Sequence, residues 1–112
     1  MVCEYGEIVL VPFPFVDRPI AKRRPALVLS NGAFNGDHGQ SILAMITSAE
    51  HSQWPSDMKI EDIAPTGLQH SSLIRWKLFT LPNEVILRRL GSLGATDKMR
   101  VSGFSAQTIA AA

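Results

Sequence analysis

Cysteine is almost absent from this chain, which contains only Cys3 among its 112 residues. A single cysteine excludes a disulfide within the chain. Cys3 is not part of a Cys-x-x-Cys pair and has no histidine nearby, so neither a zinc site nor a catalytic thiol is expected there. We interpret Cys3 as incidental to the function of the protein.

Long apolar runs are also missing. No stretch approaches the roughly 20 residues that a membrane-spanning helix requires. The first residues, Met1–Tyr5, lack the charged and then apolar layout of a signal peptide, so we expect a cytoplasmic protein with no membrane partner. An apolar content of 46% is typical of a folded globular chain, and the length suits one domain over residues 1–112.

A strong charge of either sign is the third absence. The net charge is +1, which by itself is too small to indicate a nucleic-acid-binding protein. Basic and acidic residues nevertheless occupy different segments. One basic group is Arg18, Lys22, Arg23 and Arg24, with Asp17 at its edge, and a second is Arg75, Lys77, Arg88 and Arg89. Acids collect instead at Asp57, Glu61 and Asp62, with Asp37 and Glu50 in the loops before them. This segregation predicts one positive face suited to phosphates. The sequence contains no cluster of Asp, Glu and His residues that could hold a catalytic metal, so we expect neither a metal nor another cofactor.

Most of the remaining pattern is typical of β-strands. Strands are predicted at Glu7–Phe15, Pro25–Leu29, Ser41–Ser48, Met58–Ile63 and Ser71–Leu81. The apolar middle of Ser41–Ser48 indicates a central strand covered on both faces. Val85–Gly91 fits either a strand or a short helix, and the many strands elsewhere favour a strand.

The other segments are predicted as loops and one helix. Val16–Arg23 reads as a loop, and Asn31-Gly32 and Asn35-Gly36 are turn signals. A terminal helix is predicted from Thr96, as its capping residue, to Ala111. The fold class is therefore mainly β with a terminal helix, arranged as a small barrel or sandwich with the helix outside.

Two strand ends carry the candidate chemistry. A basic cluster, Lys22–Arg24, leads directly into one strand, and another strand finishes in Thr47-Ser48. Pro25 pushes Arg24 toward extended backbone geometry, so its main chain is partly fixed before any ligand arrives. A guanidinium and two hydroxyls together suit a phosphate. The alternative is that these basic residues are solvated loop charges.

The order of these motifs resembles the PemK/MazF family of toxin endoribonucleases. The resemblance covers roughly residues 5–101 and rests on Gly6–Phe15, Arg23–Ser30, Ile46–Ser48, Gly67-Leu68 and Ser72–Arg75. It implies a small SH3-like β-barrel of the kind that CcdB-like toxins share, a homodimer, and metal-independent cleavage of single-stranded RNA. It also implies a cognate antitoxin that lies across the RNA groove.

The resemblance carries the family's functional residues to particular positions. It assigns Arg24 and Thr47 as catalytic, with Ser48 and Arg75 binding the RNA phosphate. Lys77 and Arg23 belong to the two basic groups and are also predicted to bind RNA. Some family members have an acid shortly beyond the later arginine, where this chain has Lys77. Some also have a histidine in the first loop, and Val16–Arg23 contains none.

Residue chemistry indicates how such a site would work. Arginine suits stabilisation of a charged phosphorane but is a poor general base, because its pKa is very high. His51 and Glu50 are therefore the candidates for general base, and His38 and His70 are weaker ones. Trp76 is predicted to pack in the core, whereas Trp54 either stacks on a base or is buried.

Two other functions remain compatible with the sequence. One is a non-catalytic SH3-like module that binds nucleic acid or protein through the same groove. The other is a toxin that poisons a topoisomerase through its dimer face. Arg24 with Thr47 favours the ribonuclease over the topoisomerase poison, because a protein poison needs no phosphate site.

Overall fold

The computed structural model describes residues 1–13, 22–50 and 53–109, and all structural statements below concern these residues. The strands are β1 (Glu7–Phe13), β2 (Lys22–Val28), β3 (Gln40–Ser48), β4 (Met58–Lys59), β5 (Ser72–Pro82) and β6 (Arg88–Ser92). The helices are α1 (Gly32–His38) and α2 (Ala95–Thr108), with short 3-10 helices at Ala64–Thr66 and Asn83–Val85.

The strands form one antiparallel sheet in the order β4-β5-β3-β2-β1-β6. The predicted fold class, mainly β with a terminal helix, is confirmed, and the curved six-stranded half-barrel is consistent with an SH3-like description. β3 lies in the middle of the sheet, as its apolar sequence predicts. The longest ladder joins β3 to β5 from Gln40–Pro82 to Ser48–Ser72.

Apolar clusters cover both faces of the sheet, because neighbouring residues of a strand point to opposite faces. Leu43 of β3 packs in one cluster with Val9, Val28 and Leu81. Ala44 of β3 packs in the other with Ile8, Leu27, Ile74 and Val101 of α2. Burial on both faces explains why Ala26–Val28 of β2 and Ile42–Ile46 of β3 are continuous apolar runs rather than alternating ones.

α2 is anchored to the second cluster by contacts along its length. Phe104 lies 4.5 Å from Trp76 between ring centroids, so Trp76 packs against the core as predicted. Asp97 is buried and accepts hydrogen bonds from the backbone N–H groups of Glu61 and Asp62. The predicted Thr96 cap is wrong: the helix begins at Ala95 after Gly94, which provides no side-chain cap.

The turns predicted at Asn31-Gly32 and Asn35-Gly36 are instead parts of helix α1. Asn31 caps this helix by accepting the N–H of Phe34 at 2.9 Å, and Gly39 ends it at a φ of 68°. Asn35 is fully buried and donates to the backbone oxygen of Cys3 at 2.8 Å. The prediction failed because asparagine and glycine serve equally well in turns and at helix ends.

Several element boundaries also differ from the prediction. β2 already begins at Lys22, β4 is only two residues long, and the strand predicted from Val85 begins at Arg88 after a 3-10 turn. The rest of the predicted first loop, 16–21, and the predicted strand end at 14–15 lie outside the described residues. Among the described residues, no helix is long and apolar enough to cross a membrane.

Candidate functional site

A cleft of about 440 Å³ opens between the ends of β2 and β3. Its walls come from four strands and from the segment before β5, namely Phe13, Arg24, Pro25, Met45–Ser48, Leu68–His70, Ser72 and Arg75. The cleft brings together Arg24, Thr47, Ser48 and Arg75, four of the residues predicted for the site.

The cleft exists because β2 and β3 stop pairing while both strands continue. Their ladder runs from Val28–Leu43 to Ala26–Met45 and ends there. Two more steps of the same register would place Arg24 opposite Thr47. Pro25 has no N–H to contribute at this point, which limits further pairing. The two strands therefore border an opening rather than continuing a sheet.

The two catalytic candidates differ in exposure. Arg24 is exposed on β2, where it is paired with Val11 of β1, and no hydrogen bond or ion pair joins its side chain to another described residue. Thr47 and Ser48 are half-buried, and the Ser48 hydroxyl accepts the N–H of Glu50 at 3.3 Å. The cleft therefore combines an exposed cation with two hydroxyls at its base.

Arg75 lines the cleft from β5 and is held by Asp57. Its Nε and Nη2 donate to Oδ1 and Oδ2 of Asp57 at 3.2 and 3.0 Å, and both side chains are almost completely buried. The hydrogen bond from Arg75 holds the pKa of Asp57 below its usual value, although burial acts in the opposite direction. Arg75 thus has a fixed position and a neutralising partner.

The predicted segregation of charge is therefore wrong at two of its positions. Asp57, an assigned member of the acidic group, neutralises Arg75, and Glu7 pairs with Arg89 at 2.6 Å. Arg88 and Arg89 lie on β6 at one edge of the sheet, whereas Arg75 lies on β5, next to the other edge strand. Charges that are separated in sequence meet because strand pairing joins distant segments.

The other described residues predicted for the site are not part of the cleft lining. Among the described residues, Arg23 and Lys77 are exposed but are not part of the cleft lining. Glu50 lines a smaller adjoining hollow of about 300 Å³ with Ser48, His70 and Ser71. His51, a predicted candidate for general base, lies outside the described residues.

His70 is the residue that sequence reasoning undervalued. It lines the main cleft with Arg24 and Thr47 and also the smaller hollow with Glu50. A signal for this was present. If the predicted strand Ser41–Ser48 pairs antiparallel with the strand that begins near Ser72, its last residues lie next to the residues just before Ser72, which include His70. The observed Ser48–Ser72 pair shows this arrangement.

Trp54 lies beside the cleft in the connection before β4. It is 45% exposed, and the guanidinium carbon of Arg75 lies 4.7 Å from its ring centroid. Of its two predicted environments, burial within the described part of this chain is therefore excluded, and base stacking stays a prediction. In the described part of the chain, no three His, Cys, Asp or Glu side chains are grouped so that they could hold a metal ion.

Comparison with known proteins identifies the family of this chain. Residues 4–103 match the family model described as the PemK-like, MazF-like toxin of type II toxin–antitoxin systems. The chain belongs to the PemK/MazF toxin family. The matched region contains every described wall of the cleft. No curated protein matches the chain.

Solved structures of MazF proteins share the fold. A MazE–MazF structure from Deinococcus radiodurans has a TM-score of 0.74 and 23% identity, covering 100% of this chain and 99% of that one. An endoribonuclease in complex with its cognate antitoxin from Mycobacterial species has a TM-score of 0.67 and 14% identity, covering 93% and 88%. At such identities the likeness establishes the PemK/MazF fold.

Proposed function

We propose that this PemK/MazF toxin is a metal-independent endoribonuclease that cleaves single-stranded RNA. The observation that carries the proposal is the cleft lined by both Arg24 and Thr47-Ser48, on strands that have stopped pairing. The 2′-hydroxyl attacks the adjacent phosphorus, so that a P–O2′ bond forms and the P–O5′ bond breaks. The products are a 2′,3′-cyclic phosphate and a free 5′-hydroxyl.

Arg24 stabilises the charge that develops on the phosphorane. Its exposed guanidinium, which pairs with no described residue, can donate two parallel hydrogen bonds to phosphate oxygens. It remains charged at any working pH, so its contribution does not depend on protonation. In this mechanism, Thr47 and Ser48 hydrogen-bond the scissile phosphate and set its position.

Arg75 acts mainly by position and charge. Asp57 already accepts from its Nε and Nη2, so a phosphate would interact with a guanidinium whose orientation is fixed in advance. Pre-organised donors cost little reorganisation when charge develops. Arg23 and Lys77 lie outside the cleft lining, and we assign them to the path of the RNA backbone beside it.

Proton transfer is assigned to His70. The mechanism requires a group that removes the 2′-hydroxyl proton and a group that protonates the leaving 5′-oxygen. His70 lines the cleft that contains Arg24 and Thr47, and imidazole is suited to accept or donate a proton near neutral pH. Glu50 lies in the hollow next to His70 and is the second candidate.

Relatives of this fold suggest the partners of the protein. The mycobacterial endoribonuclease was solved with its cognate antitoxin, and the Deinococcus MazF with MazE. We propose a cognate antitoxin that blocks the cleft, with release of the toxin arresting growth through RNA cleavage in the cytoplasm. We also propose a two-fold homodimer, which light scattering would detect as twice the chain mass.

Incubation of the purified protein with mixed single-stranded RNA in EDTA tests the proposed activity. We expect cleavage to survive chelation, with cyclic or 3′-phosphate ends and 5′-hydroxyl ends. Cleavage that stops in EDTA and returns with magnesium would refute the mechanism. Binding without cleavage under all conditions would instead favour the non-catalytic module, and inhibition of a topoisomerase without RNA cleavage would favour the other toxin class.

A further inference from the structure

Trp54 is a large aromatic residue held at the surface by contacts with cations. Its side chain is 45% exposed although the Arg75 guanidinium carbon lies 4.7 Å from the ring centroid and the Lys77 Nζ lies 5.8 Å from it. Core packing does not explain this position, because Trp76 contacts the second apolar cluster and Trp54 does not.

The turn that carries Trp54 is fixed by the same carboxylate that holds Arg75. Asp57 Oδ2 accepts the N–H of Trp54 at 2.8 Å, and the N–H of Asp57 donates to the Trp54 oxygen at 3.2 Å. Ser56, between them, has a φ of 68°, a conformation that residues other than glycine rarely adopt. Ring, guanidinium and carboxylate therefore form one connected assembly.

This assembly connects two neighbouring depressions. Arg75 lines the main cleft, while Trp54 and Asp57 line a hollow of about 500 Å³ that also contains Gln53 and Lys59. Ala49, which directly follows the cleft residue Ser48, is also part of this hollow. A chain bound at Thr47 and Ser48 would therefore reach Trp54 after passing Arg75.

We propose that Trp54 is a base-stacking platform for a nucleotide next to the one whose phosphate binds at Arg24 and Thr47. The proposal rests on the ribonuclease function proposed above. An exposed indole stacks on any base, while Lys59 and Lys77 attract the flanking phosphates. Among the described residues that line these two depressions, the one carboxylate is that of Asp57, and Arg75 already neutralises it, so their surface favours an anionic strand.

The test first maps the RNA sequence that the protein cleaves. It then measures binding of a labelled 2′-O-methyl RNA of that sequence, which lacks the attacking hydroxyl, by fluorescence anisotropy. Parent protein is compared with Trp54→Phe and Trp54→Leu, and Met99→Ala is the control. Met99 is 75% exposed on α2 and belongs to neither depression.

We expect Trp54→Leu to weaken binding about tenfold, within the range reported for loss of one stacked base, whereas Trp54→Phe retains most of the affinity. Met99→Ala should bind as the parent does. An abasic nucleotide is then moved along the RNA one position at a time. With the parent protein, an abasic nucleotide at one RNA position should weaken binding about as much as Trp54→Leu does. With Trp54→Leu, an abasic nucleotide at that position should weaken binding no further.

Each other outcome has a definite meaning. If the parent neither cleaves nor binds RNA, the proposed function fails. If the parent cleaves but all Trp54 variants bind alike, the platform is refuted while the function stands. If Trp54→Leu binds RNA more weakly but responds to the abasic nucleotide at each position as the parent does, Trp54 has a structural role and the platform is refuted. Polyglutamate serves as a probe for an acidic protein partner. If Trp54→Leu lost binding to polyglutamate but bound RNA as the parent does, the surface would be a protein contact, and the platform would be refuted.

Discussion

Two arginines border the same cleft, and their surroundings differ in almost every respect. The Arg24 side chain is exposed and forms no hydrogen bond or ion pair with a described residue. Arg75 is 7% exposed, forms a bidentate pair with Asp57 and lies against Trp54. The comparison shows that residue type alone does not assign a role. An exposed guanidinium is ready to bind an anion, and a paired one fixes the shape of the site.

Removing the partner of Arg75 should have the largest effect. Asp57→Ala leaves a nearly buried guanidinium without its counter-charge, which typically costs about 3 kcal/mol or more of unfolding free energy. Chemical denaturation measures this loss. Arg24→Ala is the matched control, and its unfolding free energy should stay close to that of the parent. Equal stability of the parent and Asp57→Ala would show that the pair is not structural.

Removing Arg24 should instead affect catalysis. Arg24→Ala should lower the rate of RNA cleavage at least about a hundredfold, the size expected for loss of one transition-state charge donor. Arg24→Lys should restore only part of the rate, because an ammonium cannot form a bidentate pair with phosphate. Single-turnover cleavage measures both rates. Cleavage by Arg24→Ala at the parental rate would show that the assignment is wrong.

His70 sharpens the comparison by testing whether proton transfer belongs to the same cleft. His70→Ala should slow cleavage about a hundredfold, at the lower end for loss of a general acid or base. It should also remove one limb of the pH–rate profile, because the group that transfers the proton is lost while Arg24, Arg75 and Glu50 remain as the charged neighbours. His38→Ala is the control, since His38 stacks on Phe34 in α1. A pH–rate profile unchanged by His70→Ala would refute the assignment.

The smallest expected effect is the pH dependence of stability. Because the folded pKa of Asp57 is lowered, the unfolded state binds its proton more readily, and the stabilisation from the pair is present above about pH 4. It is lost as the pH falls through the folded pKa. Asp57→Asn should therefore show a smaller loss of unfolding free energy between pH 5 and pH 3, measured by denaturant titration. Identical slopes would contradict this linkage.

Local patterns were sufficient for most of the strands. The apolar run Ser41–Ser48 indicated a central strand because a strand with two covered faces has no polar side to alternate with. β2 and β5 were predicted from their apolar residues, with errors of a few residues at their ends. Asn31–Gly39 was misread because the residues that close a turn also begin and end a short helix.

In the candidate site, too, some features could be predicted from the local sequence and others could not. Sequence order was enough to single out Arg24, Thr47 and Ser48 as candidates, since each lies next to or at the end of a predicted strand. The environment of Arg75 depended on Asp57, 18 residues away, and the position of His70 depended on antiparallel pairing of β3 with β5. The sequence by itself determined the elements and the chemical groups available. Only the tertiary structure decided which cation is neutralised and which imidazole reaches the cleft, because those outcomes depend on contacts between segments far apart in the chain.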